Sequence, residues 1–310
     1  MTTTCIAVDS ACDLPHQFID QNNIKILPIN LRLGNKLFRD NRDPMRTIQI
    51  YNSKRLEKNF NAESEPASVQ EITTLIEKDL ALQFDNILAI TISSKRSDVY
   101  RNIRESVFVS SNKFKQARDR QGRTLPLRIR VIDSEALFPG QGLLAYEANR
   151  LIKSELQPIT TVISQLEAMK SHIRGFLLPE SLYYLKNRAK RKGDNSVSWL
   201  SYGIGSLLNI KPIIEAYQGE TATVDKAKGF SEGLENLFAR AKRAIDNGLC
   251  IKAINMSYAG NPNCIESLPQ YGDFLNYANR HSVTTLLSVM STTAAVNVGP
   301  GAFSLAFAEI

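Results

Sequence analysis

Three times in the first 155 residues a short strand-like run stops at a pair of small polar residues and gives way to a helical pattern. This alternation confines the chain to an α/β fold. Residues 5–8 end at Asp9-Ser10, residues 86–92 at Ser93-Ser94 and residues 128–132 at Asp133-Ser134. Short runs rich in Ile, Leu and Val between polar boundaries read as buried strands. An Ile- and Leu-rich run at residues 24–30 reads as another strand. Asp13 before Leu14-Pro15 reads as the cap of a first helix, with proline at its first position. Val69, Ile72, Leu75, Ile76 and Leu80 share one helical face behind a Ser68 cap. Residues 98–115 and 141–153 are also helical in pattern. Strand and helix in alternation predict a mostly parallel sheet with helices on both faces.

The pattern changes after Glu155-Leu156-Gln157-Pro158, which reads as a junction. A length of 310 residues suits two domains, placed at residues 1–155 and 156–310. The second half is read as helices at residues 159–174 and 180–188, a basic loop, and an amphipathic helix at 234–247. Strands at 251–257 and 284–290 flank a helix at 265–280, and an apolar segment closes the chain at 303–307. The expected fold is therefore two α/β domains. No apolar run reaches the ~18 residues of a membrane-spanning helix. The first residues lack the basic and long apolar regions of a signal peptide, so a cytoplasmic, monomeric protein is expected.

The chain carries no Gly-x-x-x-x-Gly-Lys-Ser/Thr loop and no Gly-x-Gly-x-x-Gly after the first strand. Cys5, Cys12, Cys250 and Cys264 form no Cys-x-x-Cys pair, and His16, His172 and His281 are scattered, so no metal site is expected. Asp9 and Asp13 are near enough for a metal, but the cap role suits Asp13 better. The net charge is +7, with one focus at Lys186, Arg188, Lys190, Arg191 and Lys192. Arg188, Lys190 and Arg191 are read as docking residues for an acidic or phosphorylated partner, ahead of nucleic acid, which is not expected. The strand ends draw the most interest, because open α/β sheets bind ligands beyond the carboxyl ends of their strands. Hydroxyls and backbone amides converging there hold a carboxylate or phosphate. Ser10 and Ser134, beside Asp9 and Asp133, suit a supporting or capping role, whereas Ser93 and Ser94 suit ligand or cap equally.

Taken in order, these segments resemble the DegV family of fatty-acid-binding proteins. Val8 to Leu14 is similar to the family's V-T-D-S-x-x-D-L opening. Ile26-Leu27-Pro28-Ile29 resembles its second strand, Asp40 its acidic loop, Ser64-Glu65-Pro66 its T-S-x-P, and Ile92-Ser93-Ser94 its I-S-S. Residues 205–213 match its G-S-L-L-x-I-K-P-I, and Gly299-Pro300-Gly301 its closing G-P-G. The resemblance implies a carrier that buries a long-chain fatty acid in a ligand tunnel between two domains and presents the head group to a partner kinase. It implies no cofactor and no catalysis by the carrier itself. It also implies head-group contacts from Ser93, Ser94, Ser64, Asn297 and the residue at Glu63.

Two positions depart from the family: Glu63 stands for its threonine and Asn297 for its histidine. An ionised Glu63 at about 4 Å from a fatty carboxylate would cost on the order of 4 kcal/mol at an effective dielectric near 20. Glu63 therefore turns away, shares a proton with the ligand, or faces a different amphiphile such as an amine. An enzyme using Glu63 as acid or base is the remaining alternative. Arg96 would supply the charge lost at Asn297 if it turned inward, but surface exposure is expected for it.

Overall fold

The computed structural model describes residues 2–53, 56, 62–192 and 209–310, those at 189–192 by backbone only. The first half contributes β1 (Thr4–Asp9), β2 (Lys25–Leu27), β3 (Ile29–Leu33), β4 (Lys36–Asp40), β5 (Ala62–Glu65), β6 (Asn86–Thr91) and β7 (Arg128–Asp133). The second half contributes β8 (Ile173–Leu178), β9 (Ile210–Tyr217), β10 (Glu220–Lys228), β11 (Ala253–Tyr258), β12 (Thr284–Val289) and β13 (Phe303–Ala308).

A four-stranded sheet, β2-β1-β6-β7, is parallel throughout, as the alternation predicts. Its central strand β6 is buried along its whole length, which is why it reads as an unbroken apolar run. The run at residues 24–30 is two strands, not one. Pro28 lacks the N–H needed to continue a ladder, so β2 ends before it. β3 then enters a separate antiparallel sheet, β4-β3-β5, that the alternation did not foretell. The helix after Ser68 forms with a full capping box: the serine hydroxyl accepts from the Glu71 amide, and the Glu71 carboxylate accepts from the Ser68 amide.

The second half forms one six-stranded sheet, β10-β9-β8-β13-β11-β12, in which only β11 and β12 run parallel. Several elements differ from expectation, β9 and β10 among them, which the pattern did not mark as strands. The helix begun at Ile159 ends at Met169, and after one short turn the chain becomes β8. The basic stretch is not a loop but the end of a helix, Leu182–Lys192. The residues at 205–208 of the G-S-L-L match lie outside the described residues.

Each sheet draws its strands from one side of residue 155, yet the halves pack as one body. Two apolar clusters mix residues of both, Ile72 and Ile103 with Met290 and Ala294 in one, Val8 and Leu144 with Ile251 and Ala253 in the other. The helix Pro139–Asn149 lies between the parallel and six-stranded sheets and is buried on nearly every side. A Cβ on its Gly142 would fall 2.4 Å from the Asp13 carbonyl oxygen and 2.5 Å from Asn255 Nδ2. Glycine there lets Asn255 Nδ2 donate to the carbonyls of Asp13 at 2.7 Å and Pro139 at 2.9 Å. The far face of the six-stranded sheet packs Phe176, Phe303 and Phe307 on the helices Gly229–Asn247 and Pro269–Arg280.

Candidate functional site

The carboxyl ends of β6 and β7 point toward the near face of β8 and β9, and a cleft opens between them. Its floor is Gly175 and Leu177 of β8 with Ile214 and Ala216 of β9. Facing them are Ile29, Ile92, Leu137 and Phe138 from the first half. The cleft holds about 1020 Å³ of atom-free space, its open mouth included. Phe138 reaches its place with φ 48° and ψ −109°, a backbone that a bulky residue adopts only under strain.

The polar lining is selective. Asn297, in the last turn of the helix Thr292–Val298, donates from Nδ2 to Ser64 Oγ at 3.1 Å and to the Thr293 carbonyl at 2.7 Å. Its Oδ1 accepts from Arg188 Nε at 3.0 Å. Arg96 turns inward, with its side chain only 9% exposed. It donates from Nε to the Gly219 carbonyl at 3.2 Å and from Nη2 to Thr221 Oγ1 at 3.1 Å. Ser97, Thr293 and Ser304 complete the polar lining. Among the described residues, the charged side chains of the lining are these two arginines, with no carboxylate. Such a lining favours an anionic group attached to an apolar body.

The helix that carries Asn297 is fixed from the first half. Ser291 caps it through the Ala294 amide. Asp13 Oδ1 accepts from the Ser291 amide at 2.9 Å, and Asp40 Oδ2 accepts from the Thr293 amide at 2.9 Å and hydroxyl at 2.8 Å. Asp13 is thus no helix cap; the first helix starts at His16 without a side-chain cap. The G-P-G segment ends the same helix. A Cβ on Gly299, at φ 92°, would stand 2.2 Å from the Tyr184 ring, so glycine there lets the helix bearing Arg188 come close.

The sequence-based candidates divide into groups. Ser64 and Asn297 meet in the cleft. Glu63 does not line it: β5 alternates its faces, and Glu63 stands opposite Arg32 of β3 while Ser64 stands opposite Leu31. Ser93 is buried beside the turn at Gly219, whose Cβ position lies 2.9 Å from Ser93 Oγ. Ser94 is exposed, its amide donating to Asp133 Oδ1 at 3.1 Å. Arg188, assigned above to docking, lines the cleft, and Arg96 faces inward instead of outward. The side chains of Lys190 and Arg191 lie outside the described residues.

The remaining strand-end residues shape loops. Ser10 Oγ accepts from the Ile29 amide at 2.8 Å, and Ser134 Oγ from the Ala136 amide at 3.2 Å. Asp133 Oδ1 also accepts from the Glu135 amide at 3.0 Å. Thr293 was not anticipated, although Ser291-Thr292-Thr293 follows β12 much as Ser93-Ser94 follows β6. A Gly-x-Ser-x-Gly run at residues 229–233 has the look of a nucleophile elbow, but it carries no site: Ser231 is exposed and its hydroxyl accepts from Gln270. Among the described residues no cluster of His, Cys, Asp and Glu suits a metal, and no helix is long and apolar enough to cross a membrane.

Asp9 ties the two central strands together. Its carboxylate accepts from the amides of Ala11 at 2.9 Å and Ile92 at 2.7 Å and from Gln141 Nε2 at 3.0 Å. Complete burial outweighs these donors and pushes its pKa up to about 6. A carboxyl that binds its proton more tightly folded than unfolded contributes stability that is full below about pH 4 and lost as pH rises through the folded value. Asp9→Asn removes this dependence. The wild type is therefore expected to lose Tm relative to Asp9→Asn between about pH 4 and 6.5, with a constant difference above. Calorimetry across that range checks it; parallel Tm profiles would count against it.

A family model described as "Uncharacterised protein, DegV family" matches residues 3–309. A DegV domain-containing protein of Xanthomonas axonopodis pv. citri is 39% identical over 303 residues, covering 98% of this chain and 96% of that protein. One from Xanthomonas campestris pv. campestris matches with the same identity and coverage. Among solved structures, a stearic acid-binding protein from Eubacterium ventriosum superposes with TM-score 0.77 at 19% identity, covering 100% of this chain and 98% of that one. The Streptococcus pneumoniae fatty acid kinase (Fak) B3 protein loaded with linoleic acid superposes with TM-score 0.74 at 16% identity, covering 99% and 100%. At these identities the structural likeness is one of fold.

Proposed function

Since this chain belongs to the DegV family, we propose that it is a lipid carrier that buries the tail of a long-chain fatty acid between its halves, divided near residue 155. Arg188, Asn297 and Ser64 hold the carboxylate, with Arg96, whose Nη2 also lies 4.0 Å from Glu220 Oε2, as a second positive charge. One observation carries this reading: an apolar cleft whose charged lining among the described residues is two arginines. Glu63 faces away from it, so the repulsion that would have favoured an amine or another amphiphile is not incurred. Each methylene buried on the apolar walls contributes roughly 0.8 kcal/mol before costs, so the tail supplies most of the affinity and the polar groups its orientation.

In this reading the chain performs no phosphoryl transfer; that step belongs to a partner kinase to which the head group is presented. Lys190 and Arg191, on the helix that brings Arg188 to the cleft, are the docking positions the reading retains. Neighbours named for stearic and linoleic acid support the choice of ligand class.

The test is to purify the protein under native conditions, extract it with organic solvent and identify bound molecules by mass spectrometry. Stoichiometric fatty acid is expected. A different amphiphile, or an empty protein that also rejects added fatty acids, would overturn the reading.

A further inference from the structure

Among the described residues, nothing in the fold requires a glycine at position 175 of β8. Its φ lies outside the left-handed region. Among the described residues, a Cβ built on it meets nothing nearer than the Ala216 carbonyl oxygen at 3.7 Å and the Ala216 Cβ at 3.8 Å, which is ordinary contact. Gly142 and Gly299 differ, since there a Cβ would strike neighbouring atoms at 2.4 Å and 2.2 Å. Glycine inside a strand weakens the sheet and forgoes apolar burial, so a side chain at 175 would be expected to help the fold.

What a side chain would enter is the cleft. Gly175 and Leu177 lie on the same face of β8 and both line it. The register sets Gly175 between Ala216 of β9 and Ala306 of β13, with Leu177 beside Ile214 one step along. The cleft floor is thus lowest at Gly175 and rises at Leu177 and Ile214, with Leu137 and Phe138 on the facing wall.

We propose that Gly175 sets the bore of this cleft: the space above its Cα is where the alkyl tail crosses β8, and a side chain larger than methyl displaces the tail. Gly175 is a specificity-determining residue that recognises an unbranched hydrocarbon chain by leaving room for it. The proposal rests on the fatty-acid reading above.

The test uses the full-length protein stripped of lipid, with Gly175→Ala and Gly175→Leu, stearate titrated by calorimetry and Tm measured without ligand. Gly175→Leu should raise the Tm of the stripped protein, because leucine favours a strand more than glycine and fills an apolar space, and should lower stearate affinity by at least about tenfold. Gly175→Ala should fall between. Opposite movement of stability and binding is the signature, since a purely structural glycine would lose both together. Binding by Gly175→Leu within about twofold of wild type, or a joint loss of Tm and affinity, overturns the proposal while leaving the carrier reading intact. Wild-type protein that takes up no fatty acid overturns the carrier reading, and this one with it.

Discussion

Replacing Arg42 with alanine is expected to cost about 3–5 kcal/mol of folding stability at neutral pH, the loss typical of breaking a buried ion pair from one side. Arg42 and Asp13 are 5% and 0% exposed, with Arg42 Nη1 donating to Asp13 Oδ1 at 3.1 Å. Arg42 Nη2 also donates to the carbonyls of Leu14 at 3.2 Å and Val289 at 3.3 Å, so one guanidinium bridges the ends of β1 and β12. Burial raises the Asp13 pKa and Arg42 opposes that rise. Without Arg42 the carboxylate is left charged in an apolar setting or must take up a proton. The loss should therefore shrink as pH falls and protonation relieves the orphaned charge. Urea denaturation of wild type and Arg42→Ala at several pH values measures both effects. A loss below about 1 kcal/mol, or one that grows on acidification, would show that the pair does not hold the halves together. Because the same carboxylate accepts from the Ser291 amide, lipid retention should fall along with stability in this variant.

Arg188→Ala is expected to act on binding instead. A hydrogen bond to a charged group contributes about 1.5–3 kcal/mol, so stearate affinity should fall between about tenfold and a hundredfold. Stearyl alcohol, with the same tail and no charge, should bind wild type and variant alike. Arg188→Lys should recover only part of the loss, because an ammonium keeps the charge but not the planar fork that reaches Asn297 and a carboxylate together. Calorimetric titration of lipid-stripped protein with acid and alcohol separates the cases. Equal weakening of both ligands would mean that Arg188 shapes the wall of the cleft and does not meet the head group.

The pattern of success and failure in reading the sequence follows from what each signal encodes. β1 and β6 were legible because parallel strands buried on both faces carry continuous apolar runs that end in polar loops, and β7, an edge strand with Arg128 and Arg130 exposed, because polar and apolar residues alternate along it. The capping box at Ser68 was legible because it is local to four residues. β8 was missed, since its first two residues continue the helical pattern that runs to 174 and the four that follow are too short a run to mark a strand. Ser64 and Asn297 were found through motif order, and the structure brings them to 3.1 Å. The orientation of Glu63 stayed open because it depends on which face of a four-residue strand meets β3, and period-two alternation fixes that only once the register is known.

The residues alone determined the α/β alternation, the lack of a phosphate-binding loop and the glycine positions at the end of the chain, because these rest on local backbone preference and burial. Where charge points was decided by tertiary structure. Arg96 and Arg188, solvated cations by any local criterion, turn into one cleft because a hairpin turn, a capped helix and Asn297 offer them hydrogen bonds there. A charged side chain is buried only where such partners converge, and these partners lie 109 to 125 residues away along the chain.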